Sequence, residues 1–197
     1  MLLDTATFLS LAVACAPSVA PTTLLAVARA ESGLDPFAIG VNGPPHAAPG
    51  ARNASEAVHR AEDLVAAGQD VDLGLTQINV RNLPRLGLTL SQAFDPCRNI
   101  AASARILSEG YRRALPATGP GQPALRVALS FYNTGRPDRG FRNGYVAKVI
   151  AKATATLPVP DVVAGAGPRR AADWDVFGRT RLVVADLIIK PTAGAQP

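Results

Sequence analysis

The sequence predicts an α+β domain that is predominantly α-helical, with one small extended element near its middle. Two observations carry this. Apolar residues recur at helical spacing in several segments that open at Asp, Ser or Pro and close at Gly or Asn, the usual start and stop residues of helices. Only one stretch, Asp70–Asn79, alternates and is rich in Val, Leu and Ile, as an extended segment would be. The hydrophobic share, 48%, is ample for a core, and much of it is alanine, which suits closely packed helices. The domain is expected over residues 1–157, with a linker and tail over 158–197, where the composition shifts to Pro, Gly and Ala.

Taken in order, Thr5–Cys15 reads as a first helix, followed by a break at Ala16-Pro17-Ser18. Pro21 opens a second helix, where its missing N–H costs nothing, and Gly33 stops it after Glu31-Ser32. Gly40–Arg52 reads as a loop, and Ser55 as the cap of an amphipathic helix ending near Gly68. Asp70–Asn79 is extended or a short hairpin, with Gly74 inside it. Asp95-Pro96 opens a helix to about Ala114, and Pro116–Pro123 separates it from a helix ending at Tyr132-Asn133. Gly135–Gly144 is a loop and Tyr145–Thr156 a last helix.

Bulk properties narrow the function only in part. Lys and Arg outnumber Asp and Glu by 20 to 15, a formal charge of +5 that suits nucleic acid, anionic lipid or an acidic polymer. The arginines are scattered rather than striped on one helix, which argues against a nucleic-acid binder. Cys15, Cys97, His46 and His59 are too few and too dispersed for a zinc site, and no metal or nucleotide motif is present. The two cysteines are either buried thiols or one disulfide. Phe8–Ala20 has the look of a leader's apolar core, yet Asp4 stands where a basic residue belongs and the run is too short to span a bilayer. If the protein is exported, its leader is expected to be missing, unusual or replaced by another route.

Three segments carry candidate chemistry. Glu31 follows Leu24 and Val27 on one face of its helix, so its carboxyl sits on an apolar stripe near a helix C-terminus. Desolvation and the helix dipole would both hold its proton, as a general acid requires; the competing reading is a surface glutamate paired with Arg29 or a lysine. Gln77 and Asn79 share one face of the extended segment and could bond sugar hydroxyls and acetamido groups, or simply form a polar outer face. Tyr132 follows Leu125 and Leu129 on a core-facing stripe, so its hydroxyl needs a partner, either a catalytic carboxyl or backbone.

Together, Glu31-Ser32-Gly33 with Pro36, then Gly74-Leu75-Thr76-Gln77-Ile78, then Tyr132-Asn133-Thr134-Gly135 resemble the catalytic domain of lytic transglycosylases, which share the goose-type lysozyme fold. The details look most like members that accompany type IV secretion and conjugation. Ala38–Asn42, a helical insertion before Asp72–Leu75, and Asp95–Ile100 carry that likeness. The resemblance covers roughly residues 5–155. It implies a lysozyme-like domain in the periplasm acting on peptidoglycan, without cofactor. Glu31 would be the acid/base, Gln77 and Asn133 would bind sugars, Tyr132 would orient the glutamate and Ser32 would support the site. It also favours a Cys15–Cys97 disulfide. The family often has methionine where Thr76 stands, so an apolar contact with a sugar ring is not carried over. A hydrolase using Asp72 or Asp35 as a second carboxylate, and a non-catalytic wall-binding module, are the alternatives. The tail, with Trp174 and the apolar runs Leu182–Val184 and Leu187–Ile189, is expected to dock on the domain, to meet a secretion component or to be a weakly ordered extension.

Overall fold

The computed structural model describes residues 2–43 and 50–154; the expected linker and tail, and His46, lie outside the described residues. Eight α-helices are found there: α1 (Thr5–Cys15), α2 (Pro21–Glu31), α3 (Ala54–Ala66), α4 (Leu83–Leu86), α5 (Pro96–Thr118), α6 (Gln122–Thr134), α7 (Arg139–Arg142) and α8 (Tyr145–Thr154). Three short strands, β1 (Ile39–Val41), β2 (Val71–Leu73) and β3 (Ile78–Asn79), form an antiparallel sheet in the order β1-β2-β3. This is the predominantly helical α+β layout the sequence predicts, with α3 as the inserted helix.

The helix α2 is the axis of the domain. Leu24, Leu25, Ala26, Val27 and Ala28 are all fully buried, so it is covered on every side rather than along one stripe. Each buried leucine contributes about 1.5–3 kcal/mol, and the alanines between them let neighbouring helices come close. Helices α1, α5, α6 and α8 supply the surrounding apolar side chains, including Phe8, Leu107, Tyr111, Leu125 and Val149. A second cluster lies between the sheet and α3, built on Val71, Leu73, Ile78, Ala57 and Phe94. The site described below sits where these two cores meet.

Cys15 at the end of α1 and Cys97 at the start of α5 form a disulfide, their Cα atoms 5.5 Å apart and 82 residues apart in sequence. A cross-link closing a loop of that length stabilises by about 4–5 kcal/mol on the chain-entropy argument.

Several boundaries differ from expectation. The cap of α3 is Asn53, whose side chain accepts from the Glu56 N–H, and not Ser55, which falls inside the helix. The helix α5 runs on through Pro116 to Thr118. Proline removes only one N–H there, and the Thr118 hydroxyl donates to the Ala114 carbonyl across the last turn. Gly40–Arg52 is not wholly loop, because Ile39–Val41 pairs with Val71–Leu73. The loop Gly135–Gly144 holds the single turn α7.

Candidate active site

Glu31 is the last residue of α2. Immediately after it Gly33 (φ +66°) and Leu34 (φ +74°) turn the chain back sharply. Leu34 accepts this left-handed conformation because its side chain is buried in the core. The Ser32 hydroxyl donates to the Leu75 carbonyl at 2.7 Å and accepts from the Asp35 N–H at 3.1 Å. It therefore ties the end of α2 to the β2–β3 hairpin.

Gly74–Gln77 is the turn of that hairpin rather than part of a straight strand. Gly74 (φ +72°) is required twice over: a Cβ there would also lie 2.7 Å from Asn99 Nδ2 and 2.8 Å from the Ala93 carbonyl oxygen. Asn99, buried at the start of α5, holds the turn from beneath. Its amide donates to the Leu73 and Ala93 carbonyls, and its Oδ1 accepts from the Thr76 N–H (2.9 Å) and hydroxyl (2.6 Å). Thr76 is thus wholly buried and does not line the groove.

Gln77 turns its amide under the hairpin, donating to the Gly74 carbonyl at 2.9 Å and the Ala38 carbonyl at 3.2 Å. Its Oε1 lies against Gly40, where a Cβ would be only 2.6 Å away, so the glycine makes room for this amide. The Asn79 amide donates to Asp70 and to Asp72, each at 2.8 Å, and Asn42 donates to the other oxygen of Asp72 at 2.8 Å. Burial raises the Asp72 pKa against these two amide bonds, which pull it down.

The partner of the glutamate is not the tyrosine expected. The Tyr132 hydroxyl donates to the Thr76 carbonyl at 2.7 Å and accepts from Ser103 at 3.1 Å, so it braces α6 against the hairpin. The group on Glu31 is Tyr145, at the start of α8, which donates to Oε1 at 2.5 Å. The Tyr145 N–H is in turn capped by Asn143 Oδ1 at 3.1 Å, and the Asn143 amide donates to Asn133 Oδ1 at 2.8 Å. Asn133 therefore reaches Glu31 through a relay, Asn133–Asn143–Tyr145, as well as facing the groove. Tyr145 carries the same signal that singled out Tyr132: it lies four residues from Val149 on the apolar face of its helix.

Glu31, Gln77, Asn79, Tyr132 and Asn133 all line one groove of about 520 Å³; Ser32 does not, its hydroxyl being spent on the hairpin behind it. Asp72 lines the groove too, whereas Asp35 does not; its Oδ1 accepts from the Phe37 N–H. The Glu31 carboxyl is pushed up to about 7. Burial is the main cause and the nearby Asp72 carboxylate adds to it, against the Tyr145 hydrogen bond and the Lys148 ammonium. A carboxyl with that value can give up a proton and take one back near neutral pH.

The model of the transglycosylase SLT domain matches residues 8–153. This chain belongs to that family. Among curated proteins, the type IV secretion system protein virB1 of Brucella abortus is 43% identical over 155 residues, which is 76% of this chain and 65% of that protein. Protein virB1 of Agrobacterium fabrum is 39% identical over 181 residues, covering 89% of this chain and 72% of that protein. The chain thus spans about 65% of the length of its Brucella relatives. No solved structure matches it. The SLT match runs from α1 to α8 and so takes in every groove residue named above.

Proposed function

We propose that this SLT domain is a lytic transglycosylase that cuts the MurNAc–GlcNAc bonds of peptidoglycan with Glu31 as its single acid/base. The observation that carries the reading is the sheltered Glu31 carboxyl. It opens on a groove lined by amides, its pKa is raised to about 7, and it is oriented by one short bond from Tyr145. Protonated Glu31 delivers its proton to the glycosidic oxygen as the C1–O bond breaks, releasing the GlcNAc hydroxyl. The MurNAc acetamido group stabilises the cationic C1. Glu31, now ionised, accepts the proton of the MurNAc C6 hydroxyl as O6 bonds to C1. The product is a 1,6-anhydro end, Glu31 is again protonated and no water is consumed.

Among the described residues Asp72 is the one further carboxylate near enough to influence Glu31, and both its oxygens already accept asparagine amides. That arrangement suits a group that keeps Glu31 protonated better than one that must activate water. Gln77 Oε1, Tyr132 and Asn133 are assigned to the sugar-facing wall, with Ser32 and Asn79 holding that wall in shape.

We place this activity in the periplasm, where peptidoglycan lies and where a Cys15–Cys97 disulfide would persist. The name of the Brucella relative supports a link to a type IV secretion system, for which this domain would open the wall locally. The tail beyond residue 157 is assigned to contact with a component of that apparatus.

The experiment is release of muropeptides from purified sacculi, with mass analysis of the products. Wild-type protein is expected to release anhydro ends, one water lighter than hydrolysis products, and Glu31→Gln to release nothing while keeping its circular dichroism spectrum. Normal reducing ends would turn the assignment to a hydrolase with Asp72 as base. Full activity in the Gln variant would remove Glu31 from the reaction.

A further inference from the structure

Two arginines line the groove, Arg85 in α4 and Arg113 on α5. Their situations differ. Arg85 donates to Glu109 Oε2 at 2.7 Å, and the other oxygen of Glu109 is engaged by Arg105 at 3.4 Å, so that carboxylate is fully occupied. Arg113 is exposed and makes no ion pair with a described residue. Its guanidinium instead lies over the ring of Phe131, 4.0 Å from the ring centre.

The local sequence builds this arrangement. Gly110, one turn before Arg113 on α5, is buried against α6, and a Cβ there would meet the Ala128 carbonyl oxygen at 3.1 Å and Phe131 Cβ at 3.2 Å. The missing side chain brings α6 close enough for Phe131 to lie beneath the guanidinium. A cation resting on an aromatic face keeps its charge and its N–H edges while losing much of its side-chain freedom. That is a preorganised fork with no carboxylate in it, on the wall of a groove already assigned to a polymer whose peptide stems carry carboxylates.

We infer that Arg113 recognises a carboxylate of the peptide stem borne by the glycan strand, and so makes this domain prefer stem-bearing over stem-free peptidoglycan. The inference rests on the proposed substrate and adds a specificity residue to it. Phe131 is a positioning residue, holding the guanidinium in place. The lactyl carboxylate of MurNAc, which is free only after the stem is removed, is the other source of the same chemistry, and the two substrates separate them.

The test compares kcat/KM on intact strands with that on amidase-stripped strands for wild type, Arg113→Ala, Arg113→Lys and Arg112→Ala. Arg112 is next to Arg113 and exposed on α5, but does not line the groove, so its removal controls for general charge. Arg113→Ala should lower the intact-to-stripped ratio about tenfold, mainly through KM, as expected for loss of one charge-assisted pair. Arg113→Lys should recover part of it, and Arg112→Ala should leave the ratio at the wild-type value. An unchanged ratio in Arg113→Ala overturns the inference, as does an equal fall in Arg112→Ala. A loss confined to stripped strands overturns it too, by moving the contact to the lactyl group. The same comparison made as strand binding in a Glu31→Gln background needs no cleavage, so failure of the proposed reaction and failure of Arg113 are told apart.

Discussion

Replacing Tyr145 with phenylalanine removes the 2.5 Å bond to Glu31 Oε1 and leaves the burial of the carboxyl nearly unchanged. A hydrogen bond to a charged group stabilises it by about 1.5–3 kcal/mol, and one pKa unit corresponds to about 1.4 kcal/mol. The Tyr145 bond favours the ionised form, so its loss raises the Glu31 pKa from about 7 by roughly one to two units. The first chemical step needs the protonated acid, so kcat/KM falls as pH rises through that pKa. The alkaline limb of the profile should therefore move upward, to about pH 8–9, in Tyr145→Phe. Activity near pH 6 should fall about tenfold, because the carboxyl is no longer held in one orientation and its ionised form is less stable. The assay is the pH dependence of sacculus clearance, checked by 13C titration of the Glu31 carboxyl. An alkaline limb that stays in place, or moves to lower pH, would refute the reasoning.

Other consequences follow from the same contacts. Tyr132→Phe removes a bond to the Thr76 carbonyl rather than to Glu31, so activity should drop while the alkaline limb of the pH profile keeps its position. Glu31 is destabilising to the fold when ionised: its folded-state pKa is raised from 4.5 to about 7, so stability falls as pH rises across that window. Glu31→Gln should therefore match wild type in thermal melts below about pH 4.5 and exceed it above pH 7 by on the order of 3 kcal/mol, several degrees in Tm. Reducing the Cys15–Cys97 disulfide should cost about 4 kcal/mol, read as a lower midpoint in urea with reductant than without.

Much of this was legible in the residues, and the part that was not has a physical cause. The boundaries of α2 follow from Pro21 and Gly33, because caps and stops act within one turn, whereas the Asp4 cap of α1 is seen only in the structure. Glu31 stood out as a carboxylate on an apolar stripe, and burial does raise its pKa. Periodicity could say that Tyr132 faced the core but not which group it met there. Tyr145, on an equally apolar face, reaches Glu31 across 114 residues of sequence, and no local pattern encodes such a distance. Asn99 lies in the Asp95–Ile100 motif, but as an asparagine in the first turn of α5 its sequence gives no sign that it carries the whole hairpin turn. Sequence leaves the amides of Gln77 and Asn79 either to sugar or to a polar outer face, whereas their donors hold the hairpin and the two aspartates. A strand as short as Ile39–Val41 is not legible in the sequence, because three residues are too few to show alternation.

The central claim is that one carboxyl both gives and takes the proton, with the substrate's own hydroxyl closing the ring. Digestion of sacculi in 18O-enriched water tests it directly. Muropeptides released by wild-type protein should carry anhydro ends with no 18O at C1. Heavy oxygen at C1 in reducing ends would contradict the account, since water and not the C6 hydroxyl would then have attacked.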